Sequence, residues 1–107
     1  MTSTIDPFKA TLAGTTLVLT ALGNLVANNV DSQRASLKEH LGQAKQAVVL
    51  DLSSAELVDS LGITLVVGLY KSCKEKGLAF SVAGANVEVL RLFKFFSLNE
   101  VFEIRES

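Results

Sequence analysis

Val48-Val-Leu-Asp-Leu-Ser53 is followed three residues later by Leu57-Val-Asp-Ser-Leu-Gly-Ile63. The first run is aliphatic and β-branched, then ends in the polar turn residues Asp51 and Ser53, which predicts a buried strand leaving a core. The second run sets Asp59-Ser60 directly before an apolar helical stretch beginning at Leu61. In that position Ser60 is expected to be the helix N-cap, its oxygen toward the free N–H groups of the first turn. Such a hydroxyl is exposed, fixed by the backbone, and placed where a helix end favours negative charge. It is either a passive cap or a site that receives a phosphate.

On the N-terminal side, Phe8–Thr11 and Thr16–Leu22 read as strands around Ala13-Gly-Thr-Thr16, a hairpin turn. Leu17-Val-Leu-Thr-Ala-Leu22 is nearly all apolar, so this strand is expected inside the sheet, ended by Gly23-Asn24. From Asn28 or Asn29 to about Leu41, Val30, Leu37 and Leu41 share one face with Ala44, while Asp31, Gln33, Lys38 and Glu39 point elsewhere. The pattern predicts an amphipathic helix with an asparagine cap.

On the C-terminal side the helix expected over Ser60–Lys76 is apolar almost all round from Leu61 to Tyr70, so that half should be buried. Its last turn is basic, which suits the negative end of the helix dipole before Gly77. Leu78–Ala83 reads as a strand ended by Gly84, Asn86 as the cap of a helix from Val87 to about Phe96, and Val101–Arg105 as a short edge strand. Strands joined by helices give an α/β domain with a mixed sheet and helices mainly on one face. Ala47–Leu52 and Leu78–Ala83 should be parallel, with Leu19, Val49, Leu65, Val66, Leu69, Val82, Leu90 and Phe93 in the core. Crossover topology should bring Asp59, Ser60 and the turn Gly23–Asn29 to one sheet edge.

Composition bounds the function. The 107 residues make one domain over 1–107, large enough for a core without staples. Ten basic against eleven acidic residues argue against nucleic-acid binding. One cysteine, Cys73, and one histidine, His40, argue against a disulfide and against a metal centre. No apolar run approaches the ~20 residues of a membrane span. The start Met1–Pro7 lacks the features of a signal peptide, so a cytoplasmic chain without membrane insertion is expected.

The order strand, Asp51-Leu-Ser53, Asp59-Ser-Leu-Gly62, buried helix resembles the STAS domain of the anti-sigma factor antagonists. The likeness runs over nearly the whole chain, through Arg91-Leu-Phe93 and Leu98…Val101-Phe-Glu-Ile104. It implies that Ser60 accepts a phosphate from a partner that is both anti-sigma factor and serine kinase of the histidine-kinase-like ATPase fold. It also implies a serine phosphatase for the phosphorylated form, and no cofactor. A partner surface of Asp59, Ser60, Gly62, Asn24, Val26 and Asn28 follows from that picture. In such antagonists the turn after the second strand often reads Gly-Glu-Leu-Asp. Here it is Gly23-Asn24-Leu25-Val26, with no acid, and Ser97 stands where a glycine is usual.

Other readings stay beside this one. A non-phosphorylated STAS subunit docked on a transporter ATPase of lipid trafficking would use the hydroxyl only for contact. A small serine hydrolase would need His40 as base, an orienting acid and an oxyanion hole, and no G-x-S-x-G elbow is present. Thr64, one turn inside the helix, is expected to bond its own backbone, Asp51 to bond the turn that follows it, and Cys73 to be a packing residue. In Leu92-Phe-Lys-Phe-Phe96 one helical face cannot bury every ring. The simplest arrangement is a core-facing helix and a buried loop, the other an exposed docking patch at Phe95 or Phe96.

Overall fold

The computed structural model describes residues 6–26 and 30–106. Strands β1 (Phe8–Ala13) and β2 (Thr16–Ala21) form the expected hairpin, antiparallel with Ala13 opposite Thr16. Gly14 takes φ +63° at the first position of the two-residue loop, as a type II′ hairpin turn needs. Helix α1 (Val30–Leu41) leads to β3 (Ala47–Asp51), α2 (Ser60–Glu75) to β4 (Ala79–Ala85), and α3 (Val87–Phe95) with a 3₁₀ turn (Leu98–Glu100) to β5 (Glu103–Glu106). The asparagine cap expected for α1, at position 28 or 29, lies outside the described residues.

The strand order is β1-β2-β3-β4-β5, with β2 to β5 all parallel to one another. Each crossover thus steps one place in the same direction, and right-handed connections put every helix on the same face. Leu17, Leu19, Val48, Leu50 and Val82 are buried toward that face together with Leu37, Leu41, Leu65, Val66, Leu69 and Phe93.

Three expectations about side chains need correction. Val49 is half-buried, because strands alternate and its neighbours Val48 and Leu50 take the covered face. Leu61, Thr64 and Gly68 are exposed, although the rest of Leu61–Tyr70 is buried or half-buried. Gln33, expected on the solvent side of α1, is only 3% exposed, and its amide donates to the Asn24 carbonyl at 2.9 Å. Leu90 is partly buried against the core, and the other named core residues are buried.

The C-terminal segment also differs from expectation. Val101 and Phe102, expected in the last strand, precede it, and Phe102 fills the core, with ring centroids 5.0 Å from Phe80, 5.5 Å from Tyr70 and 6.5 Å from Phe93. Phe95 and Phe96 stack edge to face at 5.3 Å on the outside, so the buried-loop arrangement does not hold. Ser97, between α3 and the 3₁₀ turn, adopts φ +59°, which accounts for the glycine usual at that place.

Candidate functional site

Parallel strands leave their C-terminal ends on one edge, and the connections following β2 and β3 meet there. They are joined backbone to backbone. Leu25 N–H donates to the Leu57 carbonyl and Asp59 N–H to the Leu25 carbonyl, each at 3.1 Å, forming an isolated parallel bridge between Leu25 and Val58.

Two asparagines brace the segment between β3 and α2. The Asn24 side-chain oxygen accepts from Glu56 N–H at 2.8 Å and from Leu57 N–H at 3.0 Å. From the other side Asn86 Nδ2 donates to the Glu56 carbonyl at 3.3 Å, while Asn86 Oδ1 accepts from Val89 N–H and caps α3. Asp51 accepts from Ser53 N–H at 2.9 Å, the turn bond expected of it. The residue types suit the task, since a short amide can satisfy two backbone N–H groups without adding charge. Sequence reading placed Asn24 at this edge but not its bracing role; the signal was an asparagine three residues beyond the end of β2.

Helix α2 starts one residue earlier than the capping expectation. Asp59, with extended backbone (φ −96°, ψ −175°), is the N-cap, and its carboxylate accepts from Gly62 N–H at 2.9 Å. Ser60 is therefore the first helical residue and not the cap. Its carbonyl accepts from the Thr64 hydroxyl at 3.1 Å, the back-bond expected of Thr64. Its own side chain is exposed and has no hydrogen-bond partner among the described residues. The capping carboxylate thus leaves the serine oxygen unengaged beside the positive end of a sixteen-residue helix.

Gly62 is buried. A Cβ there would lie 2.1 Å from the Leu25 carbonyl oxygen, so only glycine lets the helix start approach the β2 loop this closely. Val26 is half-buried. Asn28, also read as a partner contact, lies outside the described residues. The same edge carries the exposed apolar side chains Leu22, Leu57 and Leu61, none of which the sequence reading placed on a surface. The surface around Ser60 therefore combines one free hydroxyl, acidic neighbours and apolar anchors, a composition suited to docking.

His40 belongs to a different cluster. Its Nε2 lies 2.6 Å from Asp6 Oδ2, and Ser36 donates to the other oxygen of the same carboxylate. Partial burial pushes Asp6 up, but hydrogen bonds from Ser36, the Phe8 N–H and His40, with the charge of His40, outweigh it and hold the carboxyl below 3.8. The histidine is thus committed to Asp6, and no contact between His40 and Ser60 occurs among the described residues. Cys73 is buried in α2, where desolvation raises its thiol to about 11.

Residues 8–107 match the STAS domain family. An anti-sigma-B factor antagonist of Listeria monocytogenes is 32% identical over 85 residues, covering 75% of each chain. Among solved structures, an anti-sigma factor antagonist from Mycobacterium paratuberculosis superposes with TM-score 0.82 at 17% identity, covering 94% of this chain and 85% of that one. The Bacillus cell fate determinant SpoIIAA in its phosphorylated form superposes with TM-score 0.68 at 19% identity, covering 91% and 89%. At those identities the two structures speak to the fold alone. Among the described residues, no helix is long and apolar enough to cross a membrane.

Proposed function

Because this chain belongs to the STAS domain family, and has named anti-sigma factor antagonists among its relatives, we propose that it is a partner-switching regulator of transcription. Unmodified, it holds an anti-sigma factor that is also a serine kinase of the histidine-kinase-like ATPase fold. Phosphorylated on Ser60, it lets that partner go, and a serine phosphatase restores it. It acts in the cytoplasm as a binding module and not as an enzyme.

The observation that carries the reading is the exposed, unengaged Ser60 hydroxyl, left free because Asp59 does the capping. A phosphate there adds about −1.5 to −2 charge at pH 7. The first turn of α2 favours that charge, so the fold tolerates the modification. The bound partner does not. Where Ser60 and Leu61 are covered, the phosphate brings a charge that the contact has to desolvate beside the carboxylate of Asp59. A change of ~1.4 kcal/mol is tenfold in affinity, so a modest penalty suffices to release a micromolar partner.

Kinase-treated protein, mapped by phosphopeptide mass spectrometry, should carry a single phosphate on Ser60, and Ser60→Ala none. In titration calorimetry with the kinase, Ser60→Ala should bind as tightly as the unmodified protein, and the phosphorylated protein at least tenfold more weakly. Full labelling of Ser60→Ala refutes the acceptor assignment, and equal affinity of the two phosphorylation states refutes the switch. Tight binding to a transporter ATPase without any phosphorylation would favour an accessory subunit instead.

A further inference from the structure

Helices α1 and α2 run side by side over the sheet, and between them lies a groove of about 590 Å³. It sits on the helix-covered face, and of the residues described around Ser60 only Thr64 lines it, so an inference about it goes beyond the switching function. We propose that it binds a single-chain anionic amphiphile, a fatty-acid carboxylate, with the hydrocarbon along the floor and the head at the rim.

The floor is apolar: Leu37 and Leu41 come from α1, Leu65 and Leu69 from α2, each with a few per cent of its surface left open. Gly68 lies between the two α2 leucines. Gly68 is exposed, and a Cβ there would meet nothing within 4 Å, so the groove is open to solvent at its middle. Glycine in the interior of a helix costs ~1 kcal/mol relative to alanine, yet α2 keeps one where it faces this space.

The rim carries Arg34, Lys38 and Lys76 against a single carboxylate, Glu75. Arg34 is already paired with Asp31 at 3.3 Å, whereas Lys38 and Lys76 make no ion pair among the described residues. Uncommitted cations above an apolar floor select a ligand with an anionic head and an alkyl body.

Size separates this ligand from a partner helix. The α2 lining runs from Thr64 to Lys76, about 18 Å at 1.5 Å per residue. A peptide helix of that length, ~10–12 Å across, encloses on the order of 1,500 Å³, more than twice the groove. An extended alkyl chain fits that length, and the volume falls within the ~300–1,000 Å³ typical of small-ligand sites.

The test is calorimetric titration of the whole chain with sodium laurate below its micelle concentration. Saturable one-to-one binding is expected. Gly68→Leu fills the groove with a better helix former, so it should keep or raise Tm while weakening laurate at least tenfold. The double variant Lys38→Glu with Lys76→Glu should weaken laurate about tenfold and leave the neutral lauryl alcohol unchanged. Absence of saturable laurate binding, or laurate binding by Gly68→Leu equal to the unsubstituted protein, overturns the proposal. So does binding confined to an acidic amphipathic helical peptide.

Discussion

Asp59 and Ser60 stand next to each other and divide the work that a single cap would otherwise do. Replacing Asp59 by Ala should cost ~1 kcal/mol in urea unfolding, the usual value of a lost N-cap, because Gly62 N–H loses its acceptor. Ser60→Ala should be close to neutral in the same experiment, since its hydroxyl holds nothing. A serine acting as the cap would reverse the two results. Gly62→Ala should cost ~1–3 kcal/mol, because the added methyl meets the Leu25 carbonyl. Ser97→Gly should raise stability by up to ~1 kcal/mol, relief of the left-handed backbone being partly offset by the flexibility of glycine in the unfolded chain. The pair Asp59-Ser60 was legible in the sequence, but not which of the two caps. Both are good cap residues, and the choice rests on where Leu25 pins the start of the helix.

The strands and helices were legible from their own patterns: nearly continuous apolar runs in β2 and β3, and an apolar stripe in α1. What escaped depends on contacts distant in sequence. Gln33 is polar and sits among solvent-facing residues, yet the carbonyl of Asn24 draws it inside. Val49 reads as core until the sheet is known to be covered on one face only. Phe102 looks like strand until three other rings claim it. Phe102→Ala should therefore cost ~3–5 kcal/mol, a core-sized loss that an edge-strand phenylalanine would not give, read from the denaturation midpoint. The segment between β3 and α2 should respond to Asn24. Asn24→Ala removes the acceptor of two N–H groups and should speed amide exchange at Glu56 and Leu57 well ahead of global unfolding. Under the proposed function, Val26→Asp, which supplies the acid absent from this turn, should change the rate of Ser60 phosphorylation more than it changes Tm.

Across the whole domain, Asp6 couples the entry to β1 with α1 through Phe8, Ser36 and His40. A carboxyl held below 3.8 adds stability above that pH and loses it as the pH falls further. Asp6→Asn should accordingly lower Tm at neutral pH, and the difference from the unsubstituted protein should narrow below about pH 3.8. Cys73, with its thiol near 11 and its side chain buried, should resist alkylation at pH 8 until the domain opens. The Leu25–Val58 bridge has a consequence at this scale as well. It fastens the loops after β2 and β3 to each other beyond the last regular rung of the sheet, so the ground under Ser60 has little room to shift. A message written there would travel as voltage and not as shape. With a Debye length of ~8 Å at physiological ionic strength, added salt should blunt the repulsive part of the difference between a phosphorylated and a bare form and leave the desolvation cost, whereas a hinge would leave the whole difference largely intact.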